Sequence, residues 1–279
     1  MNLKSRAKIN LTLDVLYKRK DGYHEVKMIM QEIELSDNIV FKECNKIEVN
    51  CSHPFVPSGS SNLVYKAVEL VKEATGVDAG ISIEIEKKIP VAAGLGGGSS
   101  NAATTIIGLN KLWDLGLTDQ EMENIASKLG ADVPFFVKGG TQLATGIGED
   151  LTKLTKAPKL WVVLAKPNLG ISTKEVYQNL DANKILCHPK TDRMITAIEK
   201  KDIKEICTNV GNVLESVTLH RYSNVRILKS KMSEMGANSS LMSGSGPTVY
   251  GLCEGYDKAI QIAKGLGPLS EEIFVTKFV

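Results

Sequence analysis

The stretch Pro90-Val91-Ala92-Ala93-Gly94-Leu95-Gly96-Gly97-Gly98-Ser99-Ser100 constrains this chain more than any other part of it. Before it, Ile81–Glu86 alternates apolar and polar residues. After it, Ala102, Ala103, Ile106, Leu109, Leu112 and Trp113 recur at helical spacing. A strand therefore feeds a helix, expected over Ser99–Trp113, through a loop carrying glycines at 94, 96, 97 and 98. Glycine has no Cβ, so its backbone N–H groups can come close to an anion in conformations that other residues avoid. The helix start adds unpaired N–H donors and the positive end of the dipole. Ser99 and Ser100 add hydroxyls for a phosphate or its metal. The spacing predicts a phosphate cradle. No Lys-Ser or Lys-Thr closes the loop, and serine stands where the third glycine of a dinucleotide fingerprint belongs. A second glycine cluster, Met242-Ser243-Gly244-Ser245-Gly246-Pro247-Thr248, lies between two candidate strands and by itself reads as a hairpin turn.

The N-terminus has a clear period of two. Ala7, Ile9, Leu11, Leu13 and Val15 share one face of a strand, and Lys8, Asn10 and Thr12 share the other. Asp21-Gly22 signals a hairpin, with a second strand through Val26, Met28 and Met30. Further strands are expected at 38–41, 47–51 and 81–86. Helices are expected over 61–73 and, from the capping box Thr118-Asp-Gln-Glu121, onward to about Gly130. Leu151–Pro158 separates two apolar stretches and sets a domain boundary, giving 1–155 and 156–279. Beyond it come a strand at 160–165 and a helix opened by Ser172-Thr-Lys-Glu175. Helical patterns follow at 192–200, 202–217 and 224–235, then strand, strand, helix and strand near 238–242, 247–253, 256–265 and 272–278. Strands and helices interleave without regular alternation, so the class is α+β in two domains.

Composition narrows the functional classes. Lys+Arg number 34 and Asp+Glu 32, a net charge of +2, which leaves no concentrated basic field for a nucleic acid. No apolar segment is long enough to span a membrane, and no signal-peptide pattern is present. Cys44, Cys51, Cys187, Cys207 and Cys253 are scattered and odd in number, as expected of free thiols in a reducing cytoplasm.

The loop motif Pro-x-x-x-Gly-Leu-Gly-Gly-Gly-Ser-Ser-Asn-Ala, followed late by Ser-Gly-Ser-Gly-Pro, resembles the GHMP kinases. The segments Arg6-Ala7-Lys8-Ile9-Asn10-Leu11, Asp21-Gly22-Tyr23-His24 and Gly130-Ala131-Asp132-Val133-Pro134-Phe135 extend the likeness from residue 6 to about residue 253. They look like the branch acting on a cytidine diphosphate-linked methylerythritol in non-mevalonate isoprenoid synthesis. Val91-Ala92-Ala93 departs from the Met-Gly and further glycine of many relatives, within an otherwise intact loop.

The resemblance implies an N-terminal ribosomal-protein-S5-like α/β domain that binds ATP and a C-terminal ferredoxin-like α+β domain. It implies transfer of the ATP γ-phosphoryl group, with Mg²⁺, to the substrate's 2-hydroxyl, by an enzyme that is a monomer or homodimer. Catalysis falls to Lys8 and Asp132: the carboxylate receives or orients the hydroxyl proton, and the ammonium stabilises the carboxylate and the reacting oxygen. ATP falls to Pro90 through Ser100, with Asn62 and Lys87 or Lys88 on the adenine side. The acceptor falls to Asn10, Tyr23, His24, Thr173 and Tyr177, with the cytosine between aromatic rings. The Mg²⁺ ligands are unassigned. A homoserine- or mevalonate-type kinase and a non-catalytic nucleotide-binding regulator on the same fold are the alternatives. The Asp-Gly-Tyr-His segment weighs against the first, and the presence of both Lys8 and Asp132 against the second.

Overall fold

The first 44 residues form two long strands joined by a tight turn. Gly22 takes the left-handed conformation there (φ 89°), and Arg19 and Tyr23 close the hairpin by a 2.8 Å backbone bond. The computed structural model describes residues 1–279. In chain order the elements are β1 (Asn2–Lys18), β2 (His24–Cys44), β3 (Ile47–Cys51), α1 (Leu63–Thr75), β4 (Gly80–Glu86), α2 (Gly97–Leu112), α3 (Asp119–Ser127) and α4 (Phe135–Lys138). There follow β5 (Thr141–Thr145), β6 (Asp150–Lys153), β7 (Trp161–Lys166), α5 (Thr173–Asn179), α6 (Thr191–Glu199), α7 (Ile203–Thr208), β8 (Gly211–Asn212), α8 (Glu215–Arg221), α9 (Ser223–Glu234), β9 (Ser239–Met242), β10 (Val249–Cys253), α10 (Tyr256–Leu266) and β11 (Glu272–Lys277). The class is mixed α and β, as expected.

The chain divides into two compact units built from interleaved stretches. One comprises Met1–Ala7, Leu35–Val91 and Gly96–Gly139; the other comprises Lys8–Glu34, Ala92–Leu95 and Gly140–Val279. In the first, β4 pairs antiparallel with the end of β2 (Phe41 opposite Ile83) and parallel with β3 (Val49 opposite Ile83). Helices α1 to α4 pack together here. Asn62 caps α1, and Thr118 and Glu121 make both arms of the predicted capping box on α3. Helix α2 is buried nearly all round, and Gly108 is required: a Cβ there would lie 2.4 Å from the Phe41 ring.

In the second unit, β7, β9, β10 and β11 form an antiparallel sheet in the order β11-β7-β10-β9. β5 pairs with β2 through Ile29 and Leu143. The two residues of β8 pair parallel with Thr12 and Leu13 of β1.

Three expectations change. The strands expected at 26–30 and 38–41 are one strand, because Asp37, polar in sequence, is buried with a full set of donors and does not break the ladder. The helical pattern at 202–217 is two helices with β8 between them, since Asn209 caps α7 and the chain extends at Gly211. Helix α2 begins at Gly97, so the glycines open the helix themselves. The short elements β5, β6 and α4 have no counterpart among the expected ones.

Candidate active site

The glycine loop has the geometry its composition predicts. Ala92, Gly94 and Gly96 all sit in the left-handed region, at φ 51°, 72° and 71°. Gly96 is the N-cap of α2, with no side-chain cap, and the first turn carries no acidic residue. The first intrahelical bond runs from Ser100 N to Gly96 O (2.8 Å), so the N–H groups of Gly97, Gly98 and Ser99 precede it and lack intrahelical acceptors. A 16-residue helix with an uncompensated positive end is a ready site for an anion. The two serines part company. Ser100 is 1% exposed and its hydroxyl pairs with that of Ser5 at 2.7 Å, whereas Ser99 is half-buried at the helix mouth.

The second glycine cluster packs against Gly94. Ser243 Oγ donates to Gly94 O at 2.9 Å. A Cβ on Gly94 would stand 2.2 Å from Ser243 O, so that loop's backbone lies directly against Gly94. Asn212 holds the cluster from behind: its Nδ2 donates to Met242 O (2.8 Å) and Gly244 O (2.7 Å), and its Oδ1 accepts from Leu214 N. Sequence reading missed Asn212, because Gly211-Asn212 within a helical pattern looks like a turn and carries no other signal. Thr173 is tied to the same cluster through Ser245 Oγ at 2.8 Å.

Lys8 and Asn10 sit side by side on β1, 3% and 0% exposed. Lys8 Nζ donates to Asn10 Oδ1 at 2.8 Å, and Lys8 N to Leu95 O at 3.0 Å. A buried ammonium is uncommon, since its desolvation must be offset by partners. The polar side of β1 continues inward: Thr12 accepts from Ile29 N, and Asp14 pairs with His188 at 2.7 Å. Tyr250 Oη donates to Asn10 O at 2.9 Å, and burial holds its phenol well above the usual range.

His24 opens β2 beside Tyr177 of α5, ring centroids 5.4 Å apart and tilted by 37°. Burial of the imidazole, then the Lys18 cation, lowers the His24 pKa from its ordinary 6.5, which keeps the ring neutral at pH 7. Tyr23 points outward, 62% exposed.

Asp132 is half-buried in the turn between α3 and α4. It does not cap α4, whose N-cap is Pro134. Asn62 spends both ends of its amide locally, accepting from Val64 N (2.8 Å) and donating to Pro57 O (2.7 Å). The Lys88 side chain is exposed, and its backbone N–H is bound to Asp37. No group of three or more His, Cys, Asp or Glu residues is arranged to hold a metal ion. No helix is long and apolar enough to cross a membrane. All five cysteines are unpaired, and burial pushes the thiols of Cys207 and Cys253 up to about 11.

A glycine-rich loop leading from a strand into a helix, with its Gly94 bonded to a Ser-Gly-Ser-Gly-Pro loop, marks a class of phosphotransferase. The chain belongs to the GHMP kinases: residues 62–140 match the GHMP kinase N-terminal domain and residues 194–268 the GHMP kinase C-terminal domain. It is an ATP-dependent small-molecule kinase. It is 50% identical over 282 aligned positions to 4-diphosphocytidyl-2-C-methyl-D-erythritol kinase of Geobacillus kaustophilus, covering 100% of this chain and 97% of that one. A crystal structure of 4-(cytidine 5'-diphospho)-2C-methyl-D-erythritol kinase superposes with a TM-score of 0.86 at 31% identity, covering 100% and 99% of the two chains. Homoserine kinase from Cytophaga hutchinsonii shares the fold, with a TM-score of 0.76 at 18% identity over 98% and 95% of the chains.

Proposed function

We propose that the chain phosphorylates 4-diphosphocytidyl-2-C-methyl-D-erythritol, at its 2-hydroxyl, with ATP as donor. The observation that carries the substrate is the His24–Tyr177 ring pair. It lies in the same unit as Lys8, Asn10, Gly94 and the Ser243–Pro247 loop. A methylerythritol alone needs no aromatic platform, whereas a cytosine ring does. The neutral imidazole of His24 reads the polar edge of the base, Tyr177 offers its face, and Tyr23 is available to close over the other side. Thr173, anchored to Ser245, orients the acceptor.

Phosphoryl transfer asks the protein mainly for positioning and charge. The N–H groups of Gly97, Gly98 and Ser99 receive the ATP phosphates, and the Ser99 hydroxyl is the side-chain contact. Pro90 through Leu95 lead the nucleotide into that cradle. Asn62 acts indirectly, fixing the start of α1 and the 57–62 segment on the adenine side, where Lys88 is a surface contact. Lys8 supplies the cation at the reacting oxygen, held in place by Asn10. Asp132 receives or orients the hydroxyl proton. Mg²⁺, when bound, would neutralise phosphate charge, and the half-buried Ser99 hydroxyl at the start of α2 would be the side chain to help hold it. We carry the division into domains 1–155 and 156–279 in the same spirit, supported by one family match on each side of it, and with it a cytoplasmic enzyme.

The test is ATP consumption with a panel of alcohols: the cytidine diphosphate-linked methylerythritol, homoserine and mevalonate. Turnover confined to the cytidine-linked compound is the expected result. A preference for homoserine or mevalonate would sink the substrate assignment, and no turnover with any alcohol would sink the kinase reading.

A further inference from the structure

We infer that Asp37 is a positioning residue for ATP binding, holding both flanks of the glycine loop with its two carboxylate oxygens. The inference rests on reading that loop as the ATP phosphate cradle. Asp37 lies mid-strand in β2 and is 1% exposed. Its Oδ1 accepts from Lys88 N (2.7 Å) and Ile89 N (2.8 Å), the residues leading into Pro90. Its Oδ2 accepts from Asn101 Nδ2 (2.8 Å), just past the first turn of α2, and from the ammonium of Lys87. Four donors fill the acceptor capacity of one carboxylate. A single side chain therefore sets the separation between the strand that enters the loop and the helix that leaves it.

The network reaches the loop's hydroxyls. Asn101 Nδ2 also donates to Ser5 Oγ at 2.8 Å, and Ser5 Oγ pairs with Ser100 Oγ. Charge explains why the residue is an aspartate. The Lys87 side chain is 5% exposed and lies beneath the helix start, where an ideal Cβ on Gly97 would be 3.0 Å from its Nζ. A buried cation at the positive end of a helix is unfavourable, and the Asp37 charge offsets it. A loop with three left-handed residues, one of them alanine, persists only where its surroundings over-determine it, and the paired flanks are part of that restraint.

Three variants separate positioning from general stability. Asp37→Asn offers one acceptor oxygen: it can keep the Lys88 and Ile89 bonds but turns an NH₂ toward Asn101 Nδ2 and Lys87. Asn101→Ala cuts the tie to α2 while sparing the ion pair and both backbone bonds. The swap Asp37→Asn with Asn101→Asp restores a donor–acceptor pair. It also returns a negative charge to Lys87, whose Nζ already stands 3.3 Å from Asn101 Oδ1. The Ser5 hydroxyl can reverse its role to suit.

The readouts are calorimetric titration with a non-hydrolysable ATP analogue and separate KM values for ATP and for the cytidine-linked alcohol. Both single variants should weaken the analogue and raise the KM for ATP by about 10–100-fold, with the acceptor KM moving less than about twofold, as expected of a slightly misplaced binding loop. The swap should recover most of the loss. Folded Asn101→Ala with parent-like ATP affinity overturns the inference whatever Asp37→Asn does. Equal changes in the two KM values, or no recovery in the swap, also overturn it. Failure of the parent itself to bind the analogue refutes the cradle instead, so the two readings fail separately.

Discussion

Gly94→Ala should be among the most damaging single-methyl additions in this chain, and the reason is local geometry. Gly94 sits at φ 72°, where an L-residue costs about 1–2 kcal/mol. The added Cβ would also lie 2.2 Å from Ser243 O and 3.1 Å from Gly246 O. Both are backbone oxygens, so relief requires one glycine loop to move away from the other, and overpacking of this kind typically costs ~1–3 kcal/mol. Together the two terms come to roughly 2–5 kcal/mol, a large part of the ~5–15 kcal/mol that holds a typical domain folded. Two further glycines calibrate the figure. Gly244 is also left-handed (φ 56°), but its Cβ would be 3.3 Å from Gly94 O, so Gly244→Ala should cost about 1–2 kcal/mol, mostly backbone. Gly98 lies within α2, and its Cβ would meet only Leu63 Cδ1 at 3.8 Å. Gly98→Ala should be neutral or stabilising by up to ~1 kcal/mol through helix propensity.

Urea denaturation of the three variants reads the order directly. The expected ranking is Gly94→Ala well below Gly244→Ala, which lies below Gly98→Ala. In Gly94→Ala the Ser243 Oγ–Gly94 O bond should be lost too, and affinity for an ATP analogue should fall with it. If Gly94→Ala unfolds at the same urea concentration as Gly98→Ala, the contact of Gly94 with the Ser243–Gly246 backbone does not constrain the fold.

Asp132→Ala should leave binding of an ATP analogue unchanged and lower turnover by roughly 10²–10⁴; turnover within a few-fold of the parent, measured by coupled ADP release, removes Asp132 from the chemistry. Gly97→Val should weaken the analogue, because its Cβ would press on Ile89 Cγ2 and Lys87 Nζ, both 3.0 Å away, and displace the helix start; a parent-like titration would mean the loop is only a turn. Tyr177→Ala should raise the KM for the cytidine-linked alcohol by removing a stack worth ~1–3 kcal/mol, and leave the KM for ATP in place. His24→Ala should narrow the gap in kcat/KM between that alcohol and its uridine analogue, since unpaired edge groups no longer penalise the wrong base; an unchanged preference would move base reading elsewhere. The His24 pKa lies below its ordinary 6.5, so the contribution of the neutral ring is fully present above pH 6.5 and disappears as pH falls through the lower folded value. A His24→Gln variant should therefore differ from the parent in acceptor KM near neutrality and converge with it in acid.

What was legible in the sequence differed by the range of the interaction that decides it. The glycine loop, the Thr118 capping box and the Asp21-Gly22 turn depend on residues within a few positions of one another, and each stands where its local chemistry puts it. Strand β1 shows the other case. Its apolar face was plain from the alternation, which put Lys8, Asn10 and Thr12 together on the other face and left open whether that face meets water. All three are buried, as is Asp14. The partners that make this tolerable come from far along the chain: Tyr250 on the Asn10 carbonyl, Thr191 on Thr12 and His188 on Asp14, 240, 179 and 174 residues away. Asp37 and Asn212 were invisible for the same reason, each looking like an ordinary turn or surface residue until its acceptors and donors are assembled around it. Period two reports which residues share a face of a strand, not whether that face meets solvent. A strand with both faces buried, one apolar and one lined by a lysine, an asparagine, a threonine and an aspartate, has no purely hydrophobic reason to exist. Such a buried polar side is costly unless every group is satisfied, and here it runs past the backbone of Leu95, bound to Lys8 N, and the Ser243–Pro247 loop, whose Gly244 would place a Cβ 3.7 Å from Asn10 Oδ1. Simple patterning fails on the strand face that carries Lys8, the cation proposed for the reacting oxygen.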